Sequence, residues 1–217
     1  MAFSLMGCQD SHKTDDPVAS IKIDTEQVLL IDDFQPDRVI WQKPELIVDL
    51  LGDISTLKVA DIGAGVGFFT FRLLPKSKKV IASDIDGESL AVMRELSKKL
   101  PADLAGKLSI VEALPDDPQL AEDKVDVIFL SNTYMYLKDR VKYLVNLRKY
   151  LSPKSKILIV DFKKKNMDFG PPVGEKIDLS QVEDELAQAD YKIIKSDDTS
   201  LDYQYIVLAQ LEIEVGK

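Results

Sequence analysis

Apolar and polar residues change period several times along this chain, and each change marks an element. Lys58-Val59-Ala60-Asp61-Ile62, Lys79-Val80-Ile81-Ala82-Ser83-Asp84, Leu108-Ser109-Ile110-Val111 and Val125-Asp126-Val127-Ile128-Phe129-Leu130 are short apolar runs bounded by turn residues, the mark of strands. Lys156-Ile157-Leu158-Ile159-Val160 is apolar enough to lie inside a sheet covered on both faces. Between these runs the period lengthens to that of a helix. Leu90, Met93, Leu96 and Leu100 share one side of a helix over residues 86–100, closed by Pro101. Leu137, Val141, Leu144, Val145 and Leu151 mark another, ending at Ser152-Pro153, and a third covers residues 179–189. Upstream, Pro44 stands near the first turn of a helix with Ile40, Ile47, Leu50 and Leu51 on its apolar face and Gly52 beyond its end. Two last strands, residues 191–194 and 203–211, are close enough in sequence to pair antiparallel.

Strands alternating with helices predict an α/β fold: a Rossmann-like, seven-stranded, mostly parallel sheet with helices on both faces and an antiparallel last strand pair. Three segments are expected: residues 1–20 as a flexible leader, 21–56 as an N-terminal helical cap, and 57–217 as one ligand-binding domain.

Composition narrows the chemistry. The chain has 217 residues, net charge −9, one cysteine and one histidine. An internal disulfide, a Cys-rich zinc site and a multi-His metal site are thereby excluded, and the acidic balance argues against a nucleic-acid partner. Leu5-Met6-Gly7-Cys8 matches the cleavage box of a bacterial lipoprotein signal, yet only seven residues precede Cys8 and none is basic. Two readings stay open: a trimmed signal with a lipid anchor at Cys8, or a leader with an incidental cysteine. They carry two locations, membrane-anchored or cytoplasmic.

The informative motif follows the first strand. Gly63-Ala64-Gly65-Val66-Gly67 has the spacing G-x-G-x-G and lacks the third glycine of the dinucleotide fingerprint G-x-G-x-x-G. Glycines there let the backbone turn tightly beside a ligand. Asp61, two residues earlier, would repel a pyrophosphate and welcome an ammonium or sulfonium group. Asp84, ending the second strand, can accept hydrogen bonds from both hydroxyls of a ribose. A cationic amino-acid head and a ribose-bearing tail together describe S-adenosylmethionine (SAM).

The motifs resemble those of class I SAM-dependent methyltransferases. Residues 61–67 are similar to the first motif and Ile81-Ala82-Ser83-Asp84-Ile85-Asp86 to the second. Val125 to Asn132 resembles the fourth-strand motif, and Leu151 to Asp161 the turn into the fifth strand. The resemblance covers roughly residues 36–210 and implies SAM as cofactor. It implies Asp61 near the methionine amino group, with Gly63, Ala64, Gly65 and Gly67 lining methionine and ribose. Asp84 would then bind the ribose hydroxyls, Ile85 pack on the adenine, and Asn132 face the methionine end or the acceptor.

Two departures stand out. Leu114 aligns where relatives carry an acid for the adenine amino group, leaving backbone contacts or Asp116 to serve. After the fourth strand, Thr133-Tyr134-Met135-Tyr136 replaces histidines, so no histidine base is at hand; Tyr136 is the catalytic candidate, with Tyr134 beside it. The expected activity is methyl transfer to a small-molecule acceptor. A SAM-binding sensor or scaffold without catalysis is the alternative, and an NAD-dependent oxidoreductase is disfavoured by the glycine spacing. Asp86 reads as a helix N-cap or a ligand residue, Trp41 as a lid or a packing residue, and Asp161 as a strand end. Lys163-Lys164-Lys165 reads as a solvated loop face.

Overall fold

The computed structural model describes residues 36–121 and 124–212. The predicted leader, the lipoprotein-like box at Cys8, the one histidine, His12, and residues 21–35 of the expected cap lie outside the described residues.

Two short helices come first, α1 (Pro36–Gln42) and α2 (Pro44–Asp49). The single helix expected here is broken at Lys43, whose φ of 51° and ψ of 60° are left-handed. The cause is local: the Pro44 ring bars its predecessor from the right-handed helical region. Ile40, expected on the buried face, is consequently 77 % exposed, while Ile47, Val48 and Leu51 are buried. Strand β1 (Lys58–Ile62), helix α3 (Thr70–Leu73), β2 (Lys79–Asp84), α4 (Gly87–Ser97), α5 (Ala102–Ala105) and β3 (Leu108–Glu112) follow. Then come β4 (Val125–Ser131), α6 (Arg140–Leu147), β5 (Leu151–Phe162), α7 (Leu179–Gln188), β6 (Tyr191–Asp197) and β7 (Gln204–Leu211). Asp86 is the N-cap of α4, accepting the Glu88 and Ser89 N–H groups at 3.1 and 3.4 Å.

The strands form one seven-stranded sheet in the order β3-β2-β1-β4-β5-β7-β6. The first five are parallel and the last pair, β6 and β7, is antiparallel, as expected; β7 also runs antiparallel to β5. Alternate residues serve opposite faces. Val59, Val80, Val127 and Phe129 pack with α2, α3 and α4, burying Ile47, Leu73, Leu90 and Met93. Ala60, Ile81, Ile128 and Leu130 pack with α6 and α7, burying Leu144, Leu147, Val182 and Leu186.

Three features depart from the sequence pattern, one boundary and two burials. Strand β5 begins at Leu151, inside the stretch expected to end a helix; its pairing shifts from Val125↔Leu151 to Val127↔Lys156, so the polar Ser152-Pro153-Lys154 bulges while Ser155 Oγ donates to the Val125 carbonyl at 2.8 Å. Val145 faces outward on α6, exposed rather than in the core. In β7, Gln204 and Tyr205 are both buried, although strict alternation along a strand would give one core face and one solvent face. An interior strand covered on both faces has no solvent side.

The chain moves outward from β1 to β3 and then returns to the other side of β1 with β4. That reversal leaves a crevice beyond the carboxyl ends of β1 and β4, where open α/β sheets receive ligands.

Candidate functional site

Beyond β1 the chain enters the glycine loop, and the loop is tied to its neighbours on both sides. The Gly63 and Ala64 N–H groups donate to the Ser83 carbonyl at 2.8 and 3.2 Å, anchoring it to β2. Gly63 has φ of 74°, and a Cβ there would stand 2.1 Å from Thr133 Oγ1, so the loop touches the turn that follows β4. Gly65 has φ of 56° and nothing within 4 Å of where a Cβ would lie: its backbone faces the crevice. Its N–H donates to Asp84 Oδ2 at 2.7 Å, while the Asp86 N–H reaches Asp84 Oδ1 at 2.9 Å. Asp84 thus braces the loop and keeps a carboxylate beside it.

The crevice has two compartments that share Gly63 and Asn132. The smaller, about 250 Å³, is lined by Arg38, Asp61, Gly63, Ala64, Gly65, Val66, Phe68, Phe69, Ser89, Ser131 and Asn132. The larger, about 500 Å³, is walled by Asp84, Ile85, Leu114, Thr133, Tyr136 and Leu137, among others. Ile85 is 63 % and Leu114 54 % exposed, so two apolar side chains stand open at its walls. Gly67 lines neither compartment; its backbone lies under the Phe71 ring.

Asp61 is buried, and burial pushes its carboxyl up to about 6 against the pull of a 2.6 Å hydrogen bond from Thr70 Oγ1 and of the Arg38 charge. Arg38 comes from α1, which the sequence reading did not single out. Its guanidinium lies 4.2 Å from the Phe68 ring centre, with the Arg72 guanidinium 4.1 Å from the same ring. Its Nε donates to Gln42 Oε1 at 2.5 Å, and Gln42 Nε2 donates to Ser131 Oγ at 2.9 Å, which docks α1 on the end of β4. Burial lowers Arg38 to about 10, so it stays a cation at neutral pH. Nothing local in the sequence marks Arg38: the contact that places α1 spans 89 positions.

Asn132 has φ of 56°, donates its N–H to the Val160 carbonyl at 2.9 Å, and receives Gln204 Nε2 on its side-chain oxygen. Tyr136 lines the larger compartment, and burial with the nearby Glu175 and Asp161 charges raises its phenol, so it is no proton acceptor at neutral pH. Tyr134 is buried and donates to Glu185 Oε2 at 2.7 Å, away from the crevice. Leu114, not Asp116, lines the larger compartment. Trp41 packs on Phe162 and Phe169, with ring centres 5.5 and 5.3 Å away, and lines neither compartment. Lys164 and Lys165 are exposed, as a solvated loop face requires, while Lys163 Nζ donates to the Leu201 carbonyl at 2.8 Å and Lys165 Nζ to that of Asp202 at 3.0 Å, linking the loop after β5 to the β6–β7 turn.

A family model described as a methyltransferase domain matches residues 54–209. The chain belongs to the methyltransferase-domain family. That agrees with the class I resemblance carried by the motifs and with the cofactor it implies, S-adenosylmethionine. A SAM-dependent methyltransferase from Aquifex aeolicus superposes with a TM-score of 0.75 at 26% identity, over 88% of this chain and 100% of that one. Among curated proteins, the ubiquinone/menaquinone biosynthesis C-methyltransferase UbiE of Pasteurella multocida is 27% identical over 132 residues, 59% of this chain and 48% of that protein. UbiE of Haemophilus ducreyi is 25% identical over 59% of this chain and 49% of its own length. The chain spans about half the length of these curated relatives. The fold also occurs in the [4+2]-cyclase SpnF (TM-score 0.66, 12% identity, covering 79% of this chain and 80% of that one), so architecture alone does not fix the reaction.

Proposed function

We propose that the protein binds SAM across the two compartments and transfers its methyl group to a small-molecule acceptor. The observation that carries this reading is the pairing of opposite charges in one cleft: Arg38 and Asp61 both line the smaller compartment. An amino-acid head group needs one cation for its carboxylate and one anion for its ammonium, and these two residues offer both. The larger compartment then suits a nucleoside, with Asp84 for the ribose hydroxyls and Ile85 and Leu114 as apolar walls for the base.

When bound, the sulfonium supplies an electrophilic methyl group, and the protein's share is positioning and exclusion of water. Asp61 holds the ammonium, Arg38 the carboxylate, and Gly63, Ala64 and Gly65 present backbone to the ligand. Asn132, at the junction of the compartments, orients the group nearest the transfer. Tyr136 serves as a neutral wall rather than a base. The helices of residues 36–56 act as a cap, since Arg38 reaches the cleft from α1.

A small-molecule acceptor is favoured by the net charge of −9, which opposes nucleic-acid substrates. Among the described residues no helix is long and apolar enough to cross a membrane. A cytoplasmic location is the reading that keeps the protein with its SAM supply.

Calorimetric titration tests the cofactor, with micromolar SAM binding and no response to NAD as the expected result. NAD binding without SAM binding would overturn the proposal. Transfer of a labelled methyl group to low-molecular-weight fractions of cell extract tests the acceptor class. Label in the macromolecular fraction alone would move the acceptor to protein or nucleic acid, and label in no fraction would favour a silent SAM sensor.

A further inference from the structure

Asp161 sits near the end of β5, 1 % exposed, opposite Tyr205 of β7 in the antiparallel register. Its carboxylate is held by backbone amides: Oδ2 accepts the Met135 N–H at 3.1 Å and Oδ1 the Phe162 N–H at 2.9 Å, with the Tyr134 N–H contributing. One buried acid therefore joins the end of β5 to the 3-10 turn Tyr134–Tyr136. That turn follows Thr133 and carries Tyr136, both walls of the larger compartment.

We propose that Asp161 is a positioning residue, holding the Tyr134–Tyr136 turn and through it the compartment wall in the geometry that receives the cofactor. This rests on the SAM reading of the crevice. An ionised carboxylate accepts at both oxygens, whereas a neutral one turns a hydroxyl toward an amide that needs an acceptor. Burial pushes Asp161 up to about 7, so that exchange falls near neutral pH. The titratable groups facing it are the phenols of Tyr205 on β7 and Tyr136 on the turn, both raised, chiefly by burial, and so neutral throughout that range; the Tyr134 phenol is turned to Glu185. Glu175, from the loop after β5, acts on Tyr136, and Asp178 and Arg140 act on Tyr205; Arg140 is itself paired with Glu185 at 2.7 Å.

The probe is S-adenosylhomocysteine, titrated calorimetrically between pH 6 and 8.5 into wild type, Asp161→Asn and Asp161→Glu. Affinity of the wild type is expected to rise about fivefold across this range beyond whatever rise the Asn variant shows, a modest coupling between sites. Asp161→Asn, fixed in the neutral state, should match the wild type at pH 6 and fall behind it at pH 8. Asp161→Glu should retain a pH response. Asp61, whose carboxyl burial pushes up to about 6, is left in place by both substitutions, so the difference between profiles reports on Asp161. Amide exchange at Met135, measured without ligand, supplies a second readout: protection should weaken below pH 7 in wild type and be weak at all pH in Asp161→Asn. Parallel binding profiles overturn the proposal. Should the probe bind none of the proteins, the SAM reading fails and the cofactor role falls with it, while Met135 exchange still decides whether Asp161 holds the turn. Should Asp161→Asn fail to fold, Met135 protection that stays constant between pH 6 and 8.5 in the wild type overturns the proposal.

Discussion

Asp61 and Asp161 occupy closely similar local settings and do different things. Each follows a run of apolar residues near the carboxyl end of a parallel strand, each is almost fully buried, and in each burial is the largest influence on the carboxyl. The difference lies in what faces them. Asp61 lines an open cleft with a hydroxyl and a cation nearby, and it is raised to about 6. Asp161 is closed in by backbone amides and phenols, and it is raised to about 7. Burial makes a carboxylate expensive; its neighbours decide whether the compensation comes from a ligand or from the protein itself.

The sharpest way to break this comparison is to remove the ligand-facing acid. Asp61→Ala should weaken SAM binding about 100-fold, the cost of leaving an ammonium without its counter-charge in a buried site, read by calorimetry. A loss under threefold would mean that Asp61 does not face the ligand.

Proton linkage separates the two acids next. Both folded values lie above the roughly 3.8 of an unfolded aspartate, so below about pH 4 both states are neutral and the native state bears no ionisation cost. As pH rises, the unfolded chain loses its protons first, and stability falls until the folded group ionises. Asp61→Asn should flatten the loss up to about pH 6, about 3 kcal/mol, and Asp161→Asn the loss up to about pH 7, about 4 kcal/mol, in denaturant titrations. Saturating SAM should offset the Asp61 part directly and the Asp161 part only by the share its about fivefold coupling supplies.

Arg38→Met comes third: it removes the charge that faces Asp61, so SAM affinity should drop about tenfold, with a stability loss of about 1–3 kcal/mol because the buried Gln42 Oε1 loses the Arg38 donor. Smallest is Asp86→Ala. It removes the α4 cap and should lower stability by about 1 kcal/mol while leaving SAM affinity within about twofold, since Asp84 is bonded by the Asp86 backbone, not its side chain. A large affinity loss would restore Asp86 to the ligand residues.

The sequence was legible where the physics is local. Short apolar runs ended by turns located β1 to β4, and the glycine loop with its preceding acid named a ligand class, because backbone freedom at Gly63 and Gly65 is written in residue type. Partners brought from afar were not legible. Ile40 reads as core by spacing, yet the Lys43 break turns it outward. The polar Ser152-Pro153-Lys154 reads as a stop, yet β4 carries it as a bulge inside β5. Trp41 and Asp86 had two readings each, and only contacts resolved them: stacking on Phe162 and Phe169 for one, capping of α4 for the other.

By itself, then, the sequence determined the strand and helix alternation, the mostly parallel sheet with its antiparallel end, and the residues at the tip of β1 and β2. The tertiary structure alone decided that Arg38 shares a cleft with Asp61, that Gln204 buttresses Asn132, and that Asp161 holds a turn. The physical reason is range. Periodicity and backbone conformation act over a few residues, while the charge and hydrogen-bond partners of a buried group are set by whichever distant elements the sheet brings against it.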